Sequence, residues 1–327
     1  MVNRNNTIKL IFSKIYPKKI IFKLFIISIG FTLIIPNKTY SKDNDTEKVI
    51  KILKYNGKDK FRSGDPEGAI TIYKRIIDIN PKDPDPYAEI CVIKVSSRDY
   101  YAAIRYCTNA IQLAEGKYSA PFANRAVAKQ ALGNFEGAIT DFSKAIKIDP
   151  TIAGFYSNRG VAKKSLKDYQ GALKDYSKAI KIDPKSFVFL SLRGSLKMEL
   201  KDYKGAISDY SKSINLNLEN YGKIKKNIKN NFVYGDLKKP GLKFQAFSLI
   251  SNTFTNRGTA KFRIGDYEGA IIDYSKAIEL NPDSAIPYRG RGKAKQKLNE
   301  INSACRDWGK GYELGDKVSN ELFKSFC

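Results

Sequence analysis

Apolar and polar positions along this chain follow a helical rhythm that restarts at a fixed interval. Tyr156, Arg159, Gly160 and Lys163 fall at i, i+3, i+4 and i+7, which is one face of a helix, and equivalent sets recur upstream and downstream. The stretch DFSKAIKIDP at 141–150 returns as DYSKAIKIDP at 175–184, DYSKSINLNL at 209–218 and DYSKAIELNP at 273–282. Aligned on one Ala of this pattern, Ala69, Ala103, Ala138, Ala172, Ala206, Ala270 and Ala304 lie 34, 35, 34, 34, 64 and 34 residues apart. A period near 34 predicts a stack of two-helix hairpins, none of which can bury its apolar face alone. Seven units follow, at 50–83, 84–117, 119–152, 153–186, 187–220, 251–284 and 285–318, with 221–250 inserted.

Each unit repeats the same logic. The eighth position, in the first helix, is small: Gly57, Cys91, Ala126, Gly160, Gly194, Gly258 and Gly292. The twentieth, in the second helix, is always Ala, so two antiparallel helices can approach closely. Phe142, Tyr176, Tyr210, Tyr274 and Trp308 are then expected to fill the wedge between hairpins. Asp65, Asp99, Asn134, Asp168, Asp202 and Asp266 stand where the second helix needs an N-cap, and Pro81, Pro150, Pro184 and Pro282 close it. Arg at position seven pairs in sequence with Asp at position twenty-three in five units: Arg125 with Asp141, Arg159 with Asp175, Arg193 with Asp209, Arg257 with Asp273 and Arg291 with Asp307. Nearly equidistant from the turn, the two positions lie level, which predicts a ladder of ion pairs worth about 0–1 kcal/mol each if exposed.

The order aromatic, small, [DN][YF]xGA, aromatic, Ala, Pro on this period resembles the tetratricopeptide repeat. Departures are local: Pro66 and Ile301 replace the aromatic before the aligned Ala, and Glu115, Leu218 and Asp316 replace the closing Pro. The resemblance implies an all-α fold, a right-handed superhelical solenoid of antiparallel hairpins, whose first helices line a concave surface that holds peptides or helices of partner proteins. Carried over by position, that groove presents Ala123, Asn124, Val127, Ser157, Asn158, Val161, Ser191, Leu192 and Ser195, with Asn256 equivalent to Asn124 and Asn158. Side-chain amides at one-repeat intervals suit the main chain of an extended peptide; the alternative is that they simply face solvent. The subset of the family that grips a C-terminal carboxylate would need cations such as Lys54 and Lys58 followed by Asn, and Glu89 stands in that place. No chaperone-tail clamp is expected.

Ahead of the repeats, residues 1–41 carry seven basic residues, no acid and the apolar run LFIISIGFTLII at 24–35. Twelve residues fall short of the roughly 20 that span a bilayer, which favours a secretory signal ending near Thr39-Tyr40-Ser41 over an uncleaved anchor. The expected domain order is therefore 1–41 signal or anchor, 42–49 linker, 50–220 units 1–5, 221–250 basic insert, 251–318 units 6–7 and 319–327 the end of a C-terminal capping helix. That cap would turn Val318, Leu322, Phe323 and Phe326 onto the last apolar surface.

The formal charge is +25, and removing 1–41 would leave +18. Lys outnumbers Arg, 45 to 13, which describes a diffuse field rather than the bidentate grip of nucleic-acid readout. Compositional drift is an equal explanation. Within the insert, Lys223, Lys225, Lys226, Lys229, Lys238, Lys239 and Lys243 face a single Asp236. It is either a tolerated interruption or a contact for an acidic partner or anionic membrane surface. There is no His, no P-loop, no dinucleotide fingerprint and no metal-ligand cluster, so neither cofactor, metal nor catalysis is expected. Of the four Cys residues, Cys305 and Cys327 lie level about the last turn and form the expected staple of an exported chain; Cys91 and Cys107 read as small core residues, one helical turn out of level. Two function classes remain, a protein-binding scaffold and a polyanion or membrane-surface binder. Salt separates them, because groove binding of a neutral peptide survives above about 0.5 M and Lys-driven binding does not.

Overall fold

The computed structural model describes residues 42–230 and 240–327, and over them the chain is entirely α-helical and loop. The expected targeting segment, 1–41, lies outside the described residues. The residues from Ile52 to Cys327 group as one compact unit, separate from those before it. Fifteen helices are described, two per hairpin: α1 Lys42–Arg62 and α2 Pro66–Ile79; α3 Pro84–Ser96 and α4 Tyr100–Leu113; α5 Ser119–Ala131 and α6 Phe135–Ile148; α7 Ala153–Ser165 and α8 Tyr169–Ile182; α9 Phe187–Glu199 and α10 Tyr203–Asn230; α11 Pro240–Arg263 and α12 Tyr267–Leu280; α13 Ala285–Lys297 and α14 Ile301–Glu313. Helix α15, Lys317–Phe326, ends the chain. Residues 42–49, expected as a linker, are instead the first turns of α1.

Second helices begin alike. Asp65, Asn134, Asp168, Asp202 and Asp266 each accept the amide of the Gly three residues on, at 2.8–2.9 Å, satisfying one of the donors a helix start leaves open. The glycine serves this cap, since a Cβ on Gly171 would strike the Asp168 carboxylate. Unit 2 has Ala102 there, and its bond to Asp99 stretches to 3.2 Å.

Packing inside each hairpin is set by positions eight and twenty-four, sixteen residues apart. Gly57, Gly160 and Gly194 are covered by the rings of Tyr73, Tyr176 and Tyr210; a Cβ on Gly160 would stand 2.8 Å from the Tyr176 ring. The rings expected to wedge between hairpins thus lie first within one. Tyr274 does both, covering Gly258 and also reaching Gly290 of the next hairpin.

The predicted ladder is present, and it is stronger than expected. All five Asp residues are buried, and each receives two parallel bonds from its Arg at 2.6–2.9 Å. A Lys four residues after the Arg adds a third contact: Lys129, Lys163, Lys197, Lys261 and Lys295, at 2.7–3.0 Å. The remaining guanidinium nitrogen donates to a hydroxyl of the preceding hairpin, Thr108, Ser143, Ser177, Ser211 or Ser275, at 3.0–3.1 Å. Each Arg therefore ties its own two helices together and its hairpin to the one before. Forked, desolvated pairs of this kind are much costlier to break than exposed ones.

The insert does not interrupt the stack. Its described residues prolong α10 and α11 to 28 and 24 residues, where other hairpin helices from α2 onward have 13 or 14. Beyond it, Arg257 still bonds Ser211 of unit 5, and Ile214, Ile250, Phe254 and Ala277 close one apolar cluster across the join. First helices also pack on the first helix of the following hairpin, α3 on α5, α5 on α7, α9 on α11 and α11 on α13, which places them on the inner side of the stack. The C-terminal helix covers less than expected. Ser319 is its buried residue, seated against Gly311, while Val318, Phe323 and Phe326 remain about two-fifths to one-half exposed.

Candidate functional site

The first helices lie on the inner side of the stack, and the groove expected there draws on their positions two, five, six, nine, twelve and thirteen. Along it the ten expected residues separate into three kinds. Ala123 and Ser157 are buried, and Val127, Val161 and Leu192 pack partly into the apolar clusters beneath, so these form the floor. Ser191 and Ser195 spend their hydroxyls inside the protein, on Ser213 at 2.7 Å and on the Tyr210 hydroxyl at 3.0 Å. Asn158 and Asn256 are exposed and Asn124 is half-exposed, and none of the three side-chain amides has a hydrogen-bond partner among the described residues. The structure thus keeps a repeating row of unused amides above an apolar floor.

Lys54 and Lys58, near the N-terminal end of the repeats, are already neutralised. Lys54 contacts Asp85 at 2.6 Å and Asp83 at 2.9 Å, and Lys58 contacts Glu89 at 3.4 Å. Burial alone would lower the Lys54 pKa, but the bonds to Asp85 and Asp83 hold it above its ordinary value. A carboxylate clamp at these residues would have to displace two or three acids.

Of the insert, Lys223, Lys225, Lys226 and Lys229 lie on the extension of α10 and Lys243 on that of α11; Lys238 and Lys239 lie outside the described residues. Among the described residues no helix is long and apolar enough to cross a membrane, and no group of His, Cys, Asp or Glu is arranged to hold a metal.

Cys305 and Cys327 form a disulfide across α14 and the chain end, with Cα atoms 5.8 Å apart. Cys91 and Cys107 are also joined, with Cα atoms 5.2 Å apart, which corrects the expectation of two unpaired core thiols. They occupy positions eight and twenty-four, the pair that faces across every hairpin, so in unit 2 a disulfide stands where units 4 to 6 have glycine beneath a tyrosine ring. Counting residues from the turn put them out of level; the glycine-to-tyrosine spacing of the other units was the signal that would have paired them.

Comparison with known sequences agrees with the repeat. The TPR repeat model matches residues 130–167 and 258–299, and further tetratricopeptide repeat models match 153–186 and 189–220. Residues 130–186, 189–220 and 258–299 of this chain are tetratricopeptide repeats. A tetratricopeptide repeat protein of Parabacteroides merdae has the same fold over 85% of this chain and 98% of its own, with a TM-score of 0.54 and 19% identity. YrrB, described as a TPR protein with an unusual peptide-binding site, aligns over 67% of this chain and 97% of its own, with a TM-score of 0.51 and 16% identity. Among curated relatives, human sperm-associated antigen 1 is 32% identical over 108 residues, which is 32% of this chain and 11% of the relative. The chain thus spans about a tenth of that relative's length.

The positional rule also reaches residues that the sequence analysis did not single out. In units 6 and 7 it brings Arg263, Ile286, Arg289, Gly290 and Lys293 to the inner wall, around a cavity of about 270 Å³.

Proposed function

We propose that this chain is a non-catalytic scaffold that holds an extended segment of a partner protein along the inner wall of its repeats, outside the cytoplasm. The observation that carries the reading is the row of Asn124, Asn158 and Asn256. Equivalent positions one or more repeats apart offer amide groups that nothing inside the protein uses, and an extended backbone presents its own donors and acceptors at regular intervals. A small, weakly polar floor beneath them lets a main chain approach. The peptide-binding description of YrrB, on the same fold, is consistent with this use of the surface. Two disulfides in one chain support an oxidising compartment, because cytosolic thiols are kept reduced, and the basic, apolar 1–41 segment supplies a route to it.

Site-specific photo-crosslinkers at Asn158 and Asn256, compared with the exposed second-helix positions Lys147 and Lys181, test the reading in the native organism. Identified partner chains should be captured from the first pair and not from the second. Equal capture from both faces, or none from the inner wall, would reject the groove.

A further inference from the structure

Position six of the first helix carries Asn124, Asn158, Leu192 and Asn256 in units 3 to 6, and Gly290 in unit 7. The missing side chain opens the inner wall there. A Cβ at Gly290 would lie 2.5 Å from the Tyr274 ring, so that ring, with Phe262 and the half-exposed Ile286, forms the floor of the 270 Å³ cavity. The Tyr274 hydroxyl is occupied by Thr259 at 3.1 Å, which leaves the floor apolar. A cavity below the roughly 300–1,000 Å³ of small-molecule sites suits one side chain of a passing polypeptide better than a free ligand.

Its rim is cationic. Arg263, Arg289 and Lys293 surround the opening. Among the described residues no acid lies within ion-pair distance of Arg263 or Lys293, and Arg289 gives only Nη1 to Asp316, at 2.8 Å. Three inner-wall lysines elsewhere each meet an acid: Lys54, Lys58 and Lys164, the last on Glu199 at 2.9 Å. Inner-wall Lys51, Arg62 and Lys297 also lack an ion-pair partner among the described residues, but around Gly290 three cations converge on the rim of one cavity.

We infer that the opening between units 6 and 7 is an anchoring subsite for an acidic segment of a partner protein. One aliphatic or aromatic side chain lodges on Phe262, Tyr274 and Ile286, and flanking Asp or Glu carboxylates meet Arg263, Arg289 and Lys293. This rests on the groove reading above and adds to it the charge and register of the partner.

The test is selection of a displayed random nine-residue peptide library on the full-length chain in non-ionic detergent. Enriched peptides should carry at least two acidic residues around a Leu, Ile, Met or Phe. Synthetic copies should bind R263E/K293E at least 30-fold more weakly, and copies with Asn and Gln for Asp and Glu should lose as much on the unchanged protein. Should R263E/K293E melt more than a few degrees early, R263Q/K293Q and the Asn/Gln peptides carry the same comparison. Enrichment without acidic preference, no enrichment, or a change below threefold on charge removal overturns the inference. Peptides that crosslink to Asn158 or Asn256 but ignore the charge variants would sink the subsite alone, whereas peptides that crosslink only at Lys147 or Lys181 would sink the groove with it.

Discussion

Units 3 to 7 and unit 2 hold the same hairpin by different chemistry. In the later units a buried Asp takes a forked Arg, a Lys and, through the Arg, a hydroxyl from the preceding hairpin. Unit 2 has Ile90 and Tyr106 where those Arg and Asp residues stand, and carries a disulfide one position further along each helix. The Arg network acts both within and between hairpins; the disulfide acts only within one. The contrast teaches that the hairpin register is the invariant, and that either bonded charges or a covalent bridge can fix it.

The largest expected effect comes from removing one charge of a rung. Arg159→Ala leaves Asp175 buried with Lys163 alone and frees Ser143, and breaking a buried pair from one side costs about 3–5 kcal/mol. Because repeat arrays open locally, amide hydrogen exchange over α7 and α8 is the measurement, with loss of protection spreading to α6. A change under about 1 kcal/mol would return the rung to the status of a surface pair.

Next comes the covalent counterpart. Replacing Cys91 and Cys107 by Ser should cost about 3 kcal/mol, the loop-closure value for a ring of some 15 residues, and confine the loosening to α3 and α4. Cys91→Gly with Cys107→Tyr installs the contact of units 4 to 6 and should recover most of that loss. Failure to recover would show that unit 2 departs from the common register. Under dithiothreitol, exchange should rise in unit 2 and in α15 while units 3 to 6 hold.

Acid separates the two halves again, more weakly. Burial alone would raise the Asp141 and Asp209 carboxyls, but bonds from Arg125 and Lys129, and from Arg193 and Lys197, keep both below the ordinary carboxylate value. With folded values below unfolded ones, their contribution is complete above about pH 4 and is lost as the pH falls through the folded values. Protection in units 3 and 5 should therefore drop on acidification before that of unit 2, and D141N/D209N should lessen the slope. Equal pH dependence in unit 2 would contradict this.

Much of this was legible in the sequence because repetition averages out local ambiguity. Seven aligned copies specify hairpin length, caps and the small positions, and the Arg and Asp positions could be read as level before any coordinates. What was missed depended on three dimensions. The third ligand of each rung, such as Lys163, is one helical turn from Arg159 and looks like any exposed Lys. The hydroxyl at Ser143 belongs to a different unit. The Cys91–Cys107 pair required knowing that position eight faces position twenty-four. The opening at Gly290 was hidden for a similar reason: glycine at position six has meaning only beside the neighbouring Tyr274. As for the insert, its described residues extend two helices, and composition alone carries no signal for that.

The smallest expected effect lies in the turn that every unit shares. Position fifteen takes a left-handed backbone in all seven units, as Gly64, Gly133 and Gly265 in three of them and as Arg98, Lys167, Lys201 and Asn299 in the others, with φ near 60° for these four. An L side chain there crowds its own backbone, and glycine does not. Lys167→Gly should therefore stabilise unit 4 by about 0.5–1 kcal/mol, the relief of the left-handed penalty less the extra chain entropy glycine gives the unfolded state. The Lys167 side chain is exposed and makes no hydrogen bond or ion pair, so nothing else is removed. Gly133→Ala, the reverse change in unit 3, should destabilise by a similar amount. If both substitutions move stability in the same direction, the turn geometry is not what distinguishes these positions, and the side chain at position fifteen is being held by something other than the hairpin.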